Sequence, residues 1–321
     1  MSPAAADLPI VIAHRGACGY LPEHTVAAKV LAHAQGADFL EQDVVLSHDN
    51  VPIVFHDLTL EEITDVAERY PGRARADGHW YVLDLTLAEL KTLTVRERDR
   101  APGRPTYPGR FQERSVPFSI VTLEEELALI RGLNTVTGRV AGIYTEVKSP
   151  AWHRAQQRDL SPIVLDTLAR FGYQHRDDRA FLQCFDAEEL KRIRGELGCR
   201  LRLVQLIGEN AWAESDTDYD HLRSARGLEA VSRYADAIGP WIPHVARWPA
   251  PGSPAQVTPL TASAHEHGLG VHPYTFRSDD LPAGAPDAAQ VYTALFEMAG
   301  VDGLFSDFPD QTRAYLRSQM R

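Results

Sequence analysis

Phe39–Asp57 reads FLEQDVVLSHDNVPIVFHD. The opening run, Phe39–Leu46, is the kind of apolar stretch that a buried strand uses, yet Glu41 and Asp43 stand two apart inside it. Side chains alternate across a strand, so these carboxylates share a face and Gln42 points the other way. Two buried like charges repel and resist ionisation. A hard cation such as Ca²⁺ or Mg²⁺ resolves the conflict, because both prefer carboxylate oxygen. The next apolar run ends in His56. An acidic face on a buried strand fits the interior of a barrel near its mouth, where side chains from strand ends meet.

Working outward, eight short apolar runs read as strands: Ile10–His14, Phe39–Leu46, Gly142–Val147, Ala180–Phe185, Leu201–Ile207, Ala237–Trp241, Gly268–Tyr274 and Gly303–Ser306. Helical spacing fills most of the gaps, as in TVAAKVLAHAQGA from Thr25, PIVLDTLARFGY from Pro162 and AEELKRIRGELG from Ala187. This alternation predicts an α/β chain folded as a (β/α)8 TIM barrel, one domain over residues 1–321. From about 61 to 117 the alternation breaks into a stretch rich in Arg, Asp, Gly and Pro, too long for a simple loop. It is expected to form a small inserted subdomain after the second strand unit, with a short helix at TLAELKTL.

Bulk properties narrow the function. The formal net charge of −11 argues against nucleic acid or an anionic membrane surface as the main partner, though a site can be locally positive. Three cysteines, Cys18, Cys184 and Cys199, form neither a disulfide framework nor a zinc-finger spacing. No stretch is apolar enough to span a bilayer, so stable membrane insertion is not expected. The segment MSPAAADLP lacks the pattern of a signal peptide, so the chain as written is expected in the cytoplasm. No glycine-rich nucleotide-binding motif follows the first strand.

Glu146 and Lys148, in GIYTEVKSP, repeat the two-residue spacing at another strand end and add a third carboxylate and a cation. His14 and His56 each end a strand candidate and fit a general acid–base pair. Arg15 and Lys148 fit phosphate oxygens, and Gly16 permits a sharp turn after the first strand. Surface charge is the plain alternative for Glu41 and Asp43 alone, and a structural histidine for His14 or His56 alone.

The ordered motifs AHRGACGYLPEHT, GADFLEQDVVLSHDNVPIVFHDLTL, GIYTEVKSP, FLQCFDAEELKRI, VHPYTFRSDDLP and GVDGLFSDFPD resemble those of the glycerophosphodiester phosphodiesterases. Within the insertion, the run from TDVAERYPGR to YPGRF is similar to the bacterial periplasmic branch. The resemblance implies metal-dependent hydrolysis of small-molecule glycerophosphodiesters, such as glycerophosphocholine or glycerophosphoethanolamine, to sn-glycerol 3-phosphate and an alcohol. By the same carry-over, His14 and His56 are the acid–base pair. Glu41, Asp43 and Glu146 hold one divalent cation, Ca²⁺ for this branch, with Mg²⁺ as the other choice. Arg15 and Lys148 contact phosphate, and Glu23 supports them. Gln183, Phe185 and Tyr274 line the pocket. The branch is typically exported to the periplasm, whereas no leader is visible here.

The implied route has a glycerol hydroxyl attack phosphorus and water open the cyclic phosphate, with direct attack by water as the alternative. Either histidine fits either role. Three other functions stay open: a lysophospholipid phosphodiesterase or intramolecular phosphotransferase, which needs an acyl groove that Trp212, Trp241 and Trp248 could line, though core or rim packing is the expected role of these three; a catalytically silent binding module; and a sugar-isomerase-type metal barrel. The preferred headgroup and the oligomeric state are not legible.

Overall fold

The computed structural model describes residues 8–101 and 103–319. Most of the segment read for a leader lies outside these residues. Eight parallel strands run in chain order: β1 Ile10–Ala13, β2 Phe39–Leu46, β3 Gly142–Val147, β4 Ala180–Cys184, β5 Arg202–Ile207, β6 Ala237–Pro240, β7 Gly270–Val271 and β8 Gly303–Ser306. Each pairs with its sequence neighbour from β1 to β7, and β8 pairs with β1. The ring closes between β7 and β8. There Asp302 N–H donates to Val271 O (3.0 Å), Phe305 N–H to Pro273 O (3.0 Å) and Phe276 N–H to Phe305 O (2.8 Å). The eight strand candidates are the eight barrel strands.

Strand alternation builds two cores. Outward side chains such as Leu40, Val44, Ile143, Leu182 and Leu203 pack under the helices, which include α1 Val26–Gln35, α2 Leu123–Thr137 and α3 Leu160–Arg170. Inward side chains Ile12, Phe39, Tyr144, Phe181, Val204, Ala237 and Phe305 fill the barrel floor. Two residues further along five of these strands, toward the C-terminal end, the inward positions turn polar: His14, Glu41, Glu146, Gln183 and Asp307. The site therefore stands on a layer of packed aromatics. Truncating Phe39 to Ala would cost about 3–5 kcal/mol.

The run that ends at His56 is not a barrel strand. Pro52–Val54 returns antiparallel along β2, with Val54 opposite Val44 and Pro52 opposite Leu46, and Phe55 N–H donates to Asp43 O at 2.9 Å. The reversal carries His56 back to the carboxylates that the strand had just passed. The stretch that follows has its own small core. Leu60, Ile63, Val66, Val82, Leu85, Leu90, Leu93 and Val95 pack together and onto Val45, Ile53 and Phe55. Its short helix Leu87–Leu90 starts at a reciprocal cap, with Thr86 Oγ1 accepting from Glu89 N–H and the Glu89 carboxylate accepting from Thr86 N–H. No helix among the described residues is long and apolar enough to cross a membrane.

Candidate functional site at the barrel mouth

The first strand ends in a strained turn. Arg15 has φ 56°, a left-handed value that costs a non-glycine residue energy. Gly16 follows at φ 95°, and a Cβ there would meet the Ala28 backbone at 2.9 Å. The turn aims Arg15 N–H at Glu41 Oε2 (2.6 Å) and its side chain at Glu23 Oε1 (2.9 Å) and Asp43 Oδ2 (3.5 Å). Glu23 is thus paired with Arg15.

Among the residues named from sequence, His14, Arg15, Glu41, Asp43, His56, Glu146, Lys148, Gln183, Phe185 and Tyr274 line one cavity of about 210 Å³. Glu23 lies instead in an adjoining cavity of about 210 Å³, which His14, Arg15 and His56 also line. The two hollows meet at those three side chains and at Arg277. The first has an aromatic wall of Phe185, Trp212, Trp241 and Tyr274. Trp248 is not in it; it is buried under the helices, in the core-packing role expected for it.

Both histidines are held in the same way. His14 Nδ1 lies 2.7 Å from Asp307 Oδ1, and His56 Nδ1 lies 2.5 Å from Asp57 Oδ1. A carboxylate on Nδ1 makes that nitrogen the N–H donor and leaves Nε2 as the basic one. His56 Nε2 lies 3.3 Å from Lys148 Nζ. Burial, reinforced by the positive charge of Arg15, lowers His14 to about 3 and His56 to about 4, so both rings are neutral at neutral pH. An anion bound beside them offsets the charge of Arg15 and favours the protonated rings.

The three carboxylates behave as a group. Burial and the charge of Asp43 push Glu41 well above the usual range. Burial also raises Glu146, Lys148 opposing and Asp43 adding to it. Burial acts against Asp43 too, but His56, the His24 hydrogen bond and Lys148 outweigh it and hold that group ionised. Asp43 Oδ1 is buried without a hydrogen-bond partner. Glu41, pushed toward neutrality, and Asp43, with its unpaired oxygen, lie within one metal ion's reach of each other and of His24. Glu146 lines the same cavity, paired with Lys148 at 3.0 Å. This donor set fits a hard divalent cation.

Sequence reasoning missed several residues. His24, from PEHT, sets Nε2 2.9 Å from Asp43 Oδ2 and belongs with Glu41 and Asp43 to a cluster close enough for a metal ion. Asp57 and Asp307 fell inside quoted motifs, and the adjacency in "HD" was a signal for Asp57. Arg277 lines both cavities and donates Nε to Asp307 Oδ2 at 3.0 Å. Arg98, Tyr107 and Arg110 come from the insertion and line the second cavity. Tyr107 and Arg110 fell inside the quoted YPGRF, whereas Arg98 had no such signal.

Residues 14–311 match the family described as the Glycerophosphoryl diester phosphodiesterase family. A Haemophilus influenzae protein named glycerophosphodiester phosphodiesterase is 40% identical, the alignment covering 96% of this chain and 90% of that one. A Treponema pallidum protein of the same name is 38% identical over 94% of this chain and 90% of its own. Among solved structures, an Oleispira antarctica phosphodiesterase in complex with the product sn-glycerol-3-phosphate superposes with a TM-score of 0.67 at 20% identity, covering 97% of each chain. At that identity it speaks for the fold.

Proposed function

The chain belongs to the glycerophosphodiester phosphodiesterase family, and on that premise we propose that His14 and His56 cleave a glycerophosphodiester to glycerol 3-phosphate and an alcohol by acid–base catalysis. The carrying observation is the matched pair of imidazoles, each fixed through Nδ1 by a carboxylate and each lining the cavity beside Arg15 and Lys148.

The phosphate belongs where the two hollows meet, with its non-bridging oxygens toward Arg15 and Lys148. One substrate arm then extends along the aromatic wall and the other toward the insertion. A neutral Nε2 accepts the proton of the attacking group, either a free glycerol hydroxyl or water. The other imidazole, charged once the anion is bound, protonates the departing alkoxide. With the hydroxyl as nucleophile, the first displacement leaves a cyclic phosphate, and the histidines exchange roles as water opens it. Asp57 and Asp307 keep each Nδ1–H in place and stabilise the imidazolium as it forms.

Glu41, Asp43 and Glu146 are the residues that would hold a divalent cation, with Ca²⁺ the expected ion and Mg²⁺ the competitor. When bound, such an ion supplies positive charge to phosphate oxygens as negative charge builds on them.

A second reading keeps the site and changes the substrate. The aromatic wall, with Trp212 41% exposed, offers apolar surface to a lysolipid chain. One experiment tests both readings: release of the headgroup alcohol from a panel of short glycerophosphodiesters and one lysophospholipid, with Ca²⁺ and with chelator. Release from short diesters supports the first reading. Turnover confined to the lysolipid supports the second, and no metal-dependent release from any substrate would overturn both.

A further inference from the structure

The insertion reaches the catalytic histidines through two arginines. Arg98 Nη1 donates to Asp57 Oδ2 at 2.7 Å, and Asp57 Oδ1 holds His56. Arg110 Nη2 donates to Asp307 Oδ2 at 2.8 Å, and Asp307 Oδ1 holds His14. The arrangement repeats on both sides of the site: insertion arginine, carboxylate, imidazole Nδ1. We propose that Arg98 and Arg110 are positioning residues, through which the insertion sets the orientation of both acid–base histidines. This rests on the acid–base reading of His14 and His56.

A carboxylate that binds an imidazole through one oxygen can still rotate about its own side-chain bonds. A second charged hydrogen bond on the other oxygen removes that freedom. The arginines are themselves fixed. Arg98 also binds Glu23 (2.9 Å) and Glu62 (2.6 Å). Arg110 forms a two-point pair with Asp279 (2.8 and 3.0 Å) and lies 3.7 Å over the Tyr107 ring. Their side chains are 15% and 4% exposed, so water screens these bonds weakly.

The two clamps are unequal. Asp307 Oδ2 also accepts from Arg277, whereas among the described residues Asp57 Oδ2 accepts from Arg98 alone. Loss of Arg98 should therefore loosen His56 more than loss of Arg110 loosens His14.

The test measures steady-state kinetics of Arg98→Ala, Arg110→Ala and their lysine counterparts. The substrates are a natural diester and one with a nitrophenolate leaving group, which needs no protonation. Arg98→Ala should lower kcat on the natural diester by roughly 10–10²-fold, the scale of a misplaced catalytic group. Arg110→Ala should lower it less, with KM within about threefold in both cases and partial rescue by added guanidinium. The nitrophenolate substrate should restore the arginine variant whose histidine is the acid and leave the other impaired, in the pattern of His56→Ala for Arg98 and His14→Ala for Arg110. Arg75→Ala, which breaks a two-point pair with Asp84 elsewhere in the insertion, should leave kcat unchanged.

The proposal is overturned if folded alanine variants keep kcat within threefold of wild type while the histidine variants are inactive. It is also overturned if both arginine variants respond alike to the leaving group, or if Arg75→Ala loses as much. Where an alanine variant does not fold, the lysine variant decides on the same terms. If His14→Ala and His56→Ala themselves stay active, the acid–base reading has failed instead.

Discussion

His14 Nδ1 and Asp307 Oδ1 lie 2.7 Å apart although 293 residues separate them. His14 follows β1 and Asp307 follows β8, and closing the barrel makes these strands neighbours. The proposed acid–base site is thus assembled by the same contact that joins the two ends of the fold.

Asp307→Asn should test what that contact does. The amide keeps the size of the carboxylate but offers an N–H to Nδ1, which selects the opposite tautomer and leaves Nε2 protonated. Expected is a fall in kcat toward the roughly 10²–10⁴-fold scale of a lost acid or base, with KM little changed. An Asp307→Asn enzyme at wild-type kcat would show that the carboxylate is not needed to set the ring.

His14→Ala and His56→Ala should each lower kcat by roughly 10²–10⁴-fold on a natural diester. KM should move much less, since Arg15 and Lys148 remain. The losses should fall short of additive, because the pair serves one reaction. A nitrophenolate leaving group should rescue one variant and not the other, which assigns the acid. Activity within about threefold of wild type in either variant makes that histidine structural.

The carboxylate cluster makes a prediction that does not depend on turnover. Ca²⁺ should raise the melting temperature of the chelated protein, with stabilisation of about 2.7 kcal/mol at a hundred times Kd. Glu41→Gln and Asp43→Asn should abolish both that rise and activity. Full activity after exhaustive chelation, or a thermal shift that survives both substitutions, would remove the metal from the site.

Glu97 should limit stability at high pH. Burial raises its carboxyl from the ordinary 4.5 to about 8, with the charges of Glu23 and Asp307 adding and Arg110 opposing. Between these values the unfolded chain has released the proton and the folded chain still holds it. The native state binds more protons, so this group makes stability fall as pH rises through the window. Glu97→Gln should melt above wild type at pH 9, and the gap should close near pH 5. Equal melting temperatures at both pH values would show that Glu97 has a partner that stabilises its charge.

Much of the fold was legible because strand and helix each leave a local period. Eight apolar runs separated by helical spacing specify barrel strands without any knowledge of contacts. The inward carboxylates were legible for a related reason: Glu41 and Asp43 break an apolar run, and alternation puts both on one face. What alternation cannot show is where a chain reverses. Pro52–Val54 looked like one more strand, and only its antiparallel return along β2 reveals why His56 meets Asp43.

The sequence by itself determined the barrel, the acidic face and the two histidines, because each depends on residue identity and spacing within a single element. Tertiary structure alone decided what holds those groups. Arg98 on Asp57, Arg110 and Arg277 on Asp307, and His24 on Asp43 are contacts made when closure and the insertion bring separate segments together. An arginine in a charged, proline-rich stretch reads as solvated until a buried carboxylate from another strand is placed beside it. Burial then changes its role, since the weak screening inside the fold turns a surface-type charge into a fixed hydrogen-bond donor.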